Sequence, residues 1–125
     1  MMKRNVFKER RTFEKYDNAH IIGYLNEEVL ENYFPEGEEQ APWPVAYAYT
    51  GSEADGGTVM ECSNQSDYGE LANAIIRSKF SVSEEMAIQR HAINGDYEEA
   101  PEEYDTYNDW CKYAVKTAKE WLARQ

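Results

Sequence analysis

His20 and His91 are the side chains of this sequence that could carry acid–base or metal chemistry near neutral pH. Neither has a second His, Cys or carboxylate at metal-ligand spacing on the same predicted element, so we expect each at the surface or capping an element. Cys62 and Cys111 lie 49 residues apart, form neither a C-x-x-C pair nor a closed zinc set, and are expected to be buried free thiols. A Cys62–His20 nucleophile and base pair would depend on the fold alone, because no orienting motif flanks either residue.

The loop that contains Glu53 and Asp55 is the other candidate ligand site, because acids flanked by glycines can resemble a calcium loop. The ligand spacing of an EF-hand is absent, so we expect a solvated turn. Phosphate-binding glycine loops, nucleophile elbows and H-E-x-x-H zinc motifs are also absent. The sequence therefore predicts no catalytic residue, no metal site and no cofactor, and it favours a protein that is not an enzyme.

Charge is divided unevenly along the chain, whose net charge is -11. Residues 1–16 contain six Lys or Arg against two Glu, and no basic residue lies between Lys15 and Arg77. Such an acidic body repels phosphates, which argues against direct binding of nucleic acid. The sequence has neither the apolar run of a secretory signal nor that of a membrane span, so we expect a cytoplasmic protein without membrane contact.

Strands are predicted in the first half of the chain by short β-branched or alternating runs. We interpret residues 1–16, which show no clear period, as a basic N-terminal arm, and residues 17–125 as a single α+β domain. The segment 26–34 is predicted to be a short helix, because Asn26 can cap it and apolar residues recur at helical spacing. The predicted strands are 19–25, 45–50 and 58–62.

Three helices are predicted in the second half, where the apolar period changes to 3.6 residues. Asp67 and Ser81 stand three residues before Glu70 and Glu84, which is the spacing of a capping box. The last helix carries a heptad-like seam that we expect to pack inside the domain. The predicted helices are 67–79, 82–94, whose apolar run is Met86, Ile88 and Ile93, and 101–123, whose seam is Tyr104, Tyr107, Cys111, Ala114, Ala118 and Trp121.

Aromatic and charged residues of the predicted loop and arm are the candidates for contacts with a partner. Trp43 lies between two prolines, where a rigid loop can present a contact anchor, although the ring could instead fold back over the sheet. Arg10 and Arg11 of the basic arm would be attracted to an acidic neighbour. The loop carboxylates that could replace nucleic acid phosphates on a DNA-binding protein include Glu36, Glu38 and Glu39.

The sequence "IIRSKFSVSEEMAIQRHA", followed by "EEYDTYNDWCKYAVKTAK", resembles small uncharacterised proteins encoded in prophages of gut bacteria. The shared features are an Arg-Ser-basic-aromatic-Ser step, a helix that begins with acids, and a tyrosine-rich final helix with one cysteine. They cover about residues 68–120, and the resemblance implies a phage-derived accessory protein without catalytic residues to carry over. The matching positions are Arg77, Ser78, Lys79, Phe80, Ser81, Glu84, Glu85, Tyr104, Tyr107, Cys111 and Lys112.

These observations favour a small, mainly antiparallel three-stranded sheet packed by about three helices. The function that they favour is a non-enzymatic, phage- or prophage-derived interaction or assembly module, whose partner is another protein or a second copy of the chain. An acidic inhibitor that mimics nucleic acid and binds a DNA-binding protein is the alternative. A small enzyme is the third hypothesis.

Overall fold

The computed structural model describes residues 2–35 and 41–124, which contain six strands and three helices. The chain divides into two compact units, Met1–Val59 and Met60–Gln125. The α+β class is confirmed, with two three-stranded antiparallel sheets in place of the one expected. The elements are β1 (Lys3–Phe7), β2 (Phe13–Lys15), β3 (His20–Gly23), β4 (Glu28–Tyr33), β5 (Trp43–Gly51), β6 (Thr58–Glu61), α1 (Tyr68–Arg77), α2 (Val82–Ile93) and α3 (Glu102–Ala123).

The first sheet has the order β1-β5-β4, with the long strand β5 in the centre. Both of its neighbours run antiparallel to it: Val6 of β1 and Glu28 of β4 both lie opposite Ala48. Ala46, Ala48 and Tyr49 of β5 are fully buried. The second sheet has the order β2-β3-β6, and its last strand contains the point at which the two compact units meet along the chain.

The prediction of a short helix over 26–34 is wrong, because β4 occupies this segment. Asn26 and Asn32 have positive φ angles of 59° and 51°, which a right-handed helix does not contain. Asn32 lies between two paired positions, Glu31 opposite Val45 and Tyr33 opposite Trp43, and on the facing strand Pro44 has no N–H to offer the ladder. Pairing with the central strand therefore decides the structure of this segment over its local helical spacing.

The expected arm over residues 1–16 contains two strands, β1 and β2. Lys3, Arg4 and Asn5 are exposed, and only the last two residues of β1 are half-buried, so alternation in its sequence is weak. Charged residues on an edge strand are common, because they discourage pairing with other chains. The basic residues of this segment consequently lie in β1, in the β1–β2 loop and, for Lys15, in β2 of the second sheet.

The three predicted helices are confirmed, with ends that differ by a few residues. The Asp67 side chain accepts hydrogen bonds from the Gly69 and Glu70 N–H groups at the start of α1. Ser81 and Glu84 form the complete reciprocal capping box at the start of α2. These caps satisfy N–H groups that the helices themselves leave unpaired, which fixes where α1 and α2 begin.

Gly56 occupies a position that an alanine cannot adopt without strain. Its φ is +84°, and an added Cβ would lie 2.6 Å from the backbone oxygen of Tyr49. We expect Gly56→Ala to lower the free energy of unfolding by about 2 kcal/mol or more, measured by urea denaturation followed by circular dichroism. Gly69→Ala is the control, because Gly69 does not have a positive φ and the nearest atom to its added Cβ belongs to a side chain, Asp67 Oδ1 at 3.3 Å, so it should lower the free energy of unfolding much less than Gly56→Ala. Equal urea midpoints for both variants would contradict this account of the loop.

Candidate functional site

Arg10 and Arg11 are two of the predicted contact residues. The guanidinium groups of both make contacts within the first unit. Both carboxylate oxygens of Glu27 accept hydrogen bonds of 2.8 Å from the Arg10 guanidinium. The Arg11 guanidinium lies 4.8 Å and 4.6 Å from the ring centroids of Phe7 and Tyr24. These contacts supply ion-pair and cation–π stabilisation within the fold, so neither arginine is a free charge awaiting an outside partner.

The hydroxyl of Tyr49 organises the loop that carries these two arginines. It accepts a 2.9 Å hydrogen bond from the Arg11 backbone N–H and lies 2.8 Å from Glu27 Oε1. Burial raises the pKa of this tyrosine above its usual range, and the hydrogen bond to Glu27 raises it further. The hydroxyl therefore stays protonated and holds the β1–β2 loop beside a cleft of about 460 Å³.

Trp43 begins β5, and its indole ring packs on the sheet. Its ring centroid lies 5.6 Å from that of Tyr33, the residue opposite it in the register. Val45 follows on the same face of β5 and is 40% exposed, and Val29 of β4 is 59% exposed. Trp43 is thus a half-buried member of a partly exposed apolar patch. Glu36, Glu38 and Glu39 lie outside the described residues.

Each of the two histidines has an acidic neighbour within its own unit. His20 Nδ1 lies 2.9 Å from Asp17, and His91 Nδ1 lies 2.8 Å from Asp96. Both cysteines are free thiols, but only Cys62 is buried, so the expectation of burial is wrong for the half-buried Cys111. Among the described residues, no group of three His, Cys, Asp or Glu side chains could hold a metal ion.

The loop with the calcium-like acids is held by protein hydrogen bonds. Asp55 accepts one of 2.7 Å from the Tyr24 hydroxyl and one of 2.9 Å from the Gly57 N–H. Burial and the hydrogen bond to this carboxylate raise the pKa of Tyr24 to about 12. Both carboxylate oxygens of Asp55 therefore accept hydrogen bonds that fix the turn.

Helix α2 exposes an apolar stripe, which is the most distinctive surface of the second unit. Val82, Met86 and Ile93 are 54%, 53% and 85% exposed, and with Gln89 they recur at i, i+4, i+7 and i+11. Residues at this spacing share one side of a helix. Ile88, which lies on another side, is the only buried residue of α2. Most of the apolar surface of this helix is consequently left to solvent.

Helix α3 continues this apolar surface. Its buried side contains Tyr107, Ala114, Thr117, Ala118 and Trp121. A second stripe is half-buried and consists of Tyr104, Asn108, Cys111, Val115 and Leu122. All of these except Leu122 line two shallow grooves, of about 410 and 420 Å³, that share Cys111. Gln89, Ala92 and Ile93 of α2 border the first groove, so the stripes are contiguous. We define the helical face as Val82, Met86 and Ile93 of α2 together with the half-buried residues Tyr104, Asn108, Cys111, Val115 and Leu122 of α3.

A charged hydrogen-bond cluster fixes α2 in place beneath this face. Glu85 accepts a 2.5 Å hydrogen bond from the Arg77 guanidinium of α1 and another from the Tyr107 hydroxyl of α3. Burial by itself would raise the pKa of Glu85, but the hydrogen bonds from Tyr107 and Arg77 outweigh it and lower the pKa. Burial and the bond to Glu85 raise the pKa of Tyr107 above its usual range. One carboxylate thus links all three helices.

Sequence reasoning missed the exposure of α2. The predicted apolar run of Met86, Ile88 and Ile93 does not form one side of the helix, because Ile88 is buried whereas Met86 and Ile93 are exposed. The signal that could have separated them is the spacing of Val82, Met86, Gln89 and Ile93, which excludes Ile88. The seam predicted for α3 is confirmed where it is buried, at Tyr107, Ala114, Ala118 and Trp121, whereas Tyr104 and Cys111 are half-buried.

Comparison with family models, with curated proteins and with solved structures finds no match for this chain. Over residues 2–35 and 41–124, no helix combines the length and apolar character needed to cross a membrane. The site must therefore be interpreted from its own geometry.

We expect the Glu85 cluster to contribute stability only while the carboxylate is charged. Because the folded pKa lies below the ordinary 4.5, this stability is fully present above pH 4.5 and is lost as the pH falls through the folded value. Glu85→Gln should therefore lower the urea midpoint at neutral pH, with a difference from wild type that shrinks at more acidic pH.

Glu99→Gln is the matched control for this measurement, because Glu99 is exposed and the structure gives it no hydrogen bond with a described residue. Its urea midpoint should follow that of the wild type at every pH. A Glu85→Gln difference that stays constant from neutral to acidic pH would show that packing, and not the charge, is what the substitution removes.

Proposed function

We propose that this protein is a non-enzymatic interaction or assembly module that binds another protein chain through its helical face. The observation that carries the proposal is the exposed apolar stripe of α2, where Val82, Met86 and Ile93 point away from the one buried residue, Ile88. Contact between water and an apolar surface of this kind is unfavourable in the isolated protein. The free energy of the system falls when a partner covers the surface.

The way in which α2 is held supports a binding role for its outer side. A helix with one buried residue obtains little stability from packing, yet α2 has a complete capping box and the Glu85 link to both neighbouring helices. These polar contacts keep the helix formed and in place while its apolar side remains uncovered. A preformed surface loses less conformational entropy when a partner binds.

The basic segment is less suited to serve as the docking element. Arg4 pairs with Glu28, Arg10 with Glu27 and Arg11 with Glu14. A partner that binds these arginines would have to replace existing ion pairs, which removes much of the gain. Deleting residues 1–16 would also remove β1 and β2, so truncation cannot test the basic segment separately from the fold.

The nucleic acid mimic has weaker support among the described residues. Glu27 and Glu28 also lie in the acidic stretch between Lys15 and Arg77, and they already accept hydrogen bonds from Arg10 and Arg4. The guanidinium of Arg4 holds the pKa of Glu28 below its usual range, as expected for a carboxylate in an ion pair. We therefore rank mimicry below protein binding, and a phage origin and cytoplasmic location remain part of the proposal on the grounds given by the sequence.

Site-specific photo-crosslinking tests whether the helical face is covered by a protein. A benzophenone amino acid placed at Met86 or Ile93, both exposed apolar positions of α2, should give covalent protein adducts in cells that express the full chain from its native genome context. The same probe at Asn73, an exposed polar residue of α1, is the control and should give few. Adducts would be counted by blotting and identified by mass spectrometry.

The proposal fails if the Met86 and Ile93 positions give no more adducts than Asn73. Circular dichroism on each purified variant checks that α2 remains folded, since both substituted side chains already face solvent. An adduct with a second copy of the chain counts as a protein partner in this experiment.

A further inference from the structure

We propose that the partner covering the α3 part of the helical face is a second copy of this chain, bound through antiparallel pairing of the two α3 helices. The inference rests on the proposed function and names the occupant of the same face. Its basis is a charged stripe that runs alongside the apolar one and is complementary to itself when reversed.

The charged stripe consists of two acids followed by two bases. Asp105, Asp109, Lys112 and Lys116 recur at i, i+4, i+7 and i+11 and are all exposed. Each lies one position after a residue of the half-buried stripe that begins at Tyr104, so the charges border the apolar surface along its length. The structure gives none of the four an ion pair with a residue in 2–35 or 41–124.

Helix end effects do not account for this arrangement. The helix dipole favours acids in the first turn and bases in the last turn, and its influence decays within a turn. Asp109 and Lys112 lie in the middle of the helix Glu102–Ala123, beyond that range. Within one helix, the like charges at i and i+4, Asp105 with Asp109 and Lys112 with Lys116, repel each other. An antiparallel copy would place the two acids of each helix beside the two bases of the other, so that attractions between the helices offset these repulsions.

Antiparallel pairing brings the opposite charges together in one register. With Cys111 at the two-fold axis, Asp105 lies six residues before the axis and faces Lys116, which lies five residues after it. Asp109, two residues before the axis, faces Lys112, one residue after it.

A two-fold axis perpendicular to both helices keeps the charged stripes of the two copies on the same side of the pair, and symmetry repeats each ion pair. The same register places Asn108 of one copy near Val115 of the other.

The small central side chain suits a close approach of two helices. Cys111 is half-buried and belongs to both shallow grooves, whereas the larger Tyr104 and Leu122 lie toward the ends of the stripe. Apolar residues at alternating spacings of four and three form the seam of paired helices, with charged residues on its flanks selecting the orientation. Ile93 of α2, beside the first groove, extends the surface that pairing would cover.

Charge reversal on the full chain tests the pairing by sedimentation equilibrium from nanomolar to high micromolar concentration. Lys112→Glu with Lys116→Glu should weaken self-association by about tenfold or more, because attraction becomes repulsion at each pair. Asp105→Lys with Asp109→Lys should do the same. The variant with all four substitutions restores opposite charges across the interface and should self-associate within about threefold of the wild type. A chain that stays monomeric throughout, or reversals without effect, would overturn the proposal.

Thiol crosslinking provides a second measurement, which does not depend on charge-reversal substitutions. A short bis-maleimide should join two copies through Cys111 in the wild type and in Cys62→Ala, and should fail in Cys111→Ser, because Cys62 is buried. Absence of the Cys111 crosslink, or reversals that are not rescued by the fourfold variant, would exclude this register.

Failure of this inference is distinguishable from failure of the proposed function. If the purified chain is monomeric while the Met86 and Ile93 probes still give adducts in cells, then the face binds a different protein and only the second-copy inference is overturned. If those probes give none and the chain is monomeric, both fail.

Discussion

Helix α2 leaves most of its apolar side chains uncovered within its own unit, so its position there depends on polar contacts. Ile88 is the only one of its residues that is buried. The position of α2 is instead fixed by Glu85, which accepts hydrogen bonds from Arg77 of α1 and Tyr107 of α3. A charged hydrogen-bond cluster still stabilises the helix when solvent is nearby, whereas an apolar contact stabilises it only by removing surface from water. The outer side of α2 can therefore stay exposed without loss of the helix.

In the first unit, basic and acidic residues that are distant in the chain form ion pairs with each other. Arg4 reaches Glu28, and Arg10 reaches Glu27, because β1 and β4 flank the same central strand. The segment that looks like a basic arm in the sequence thus balances acids from the segment that looks like an acidic helix. Net charge per segment describes the unfolded chain well, but the folded surface depends on which segments become neighbours.

The helices could be predicted because their information is local. A 3.6-residue period and the caps at Asp67 and Ser81 define where each begins. The strands β1 and β4 could not, because each depends on the edge of β5 that it joins, and β4 even carries helical spacing. The candidate site shows the same limit. Trp43 was found from its flanking prolines, but its contact with Tyr33 and the exposure of Ile93 depend on tertiary packing.

Helix α3 shows how one helix can serve the interior and a surface together. Its buried residues, from Tyr107 to Trp121, use small Ala114 and Ala118 to let the neighbouring helix approach. The half-buried stripe lies beside that side and uses the same periodicity, so a single heptad-like pattern in the sequence contains two surfaces. The second surface is flanked by charges of both signs, Asp105, Asp109, Lys112 and Lys116, for which the structure of residues 2–35 and 41–124 gives no ion pair. Since interior packing needs no such flank, the charge pattern is informative about what lies outside the unit.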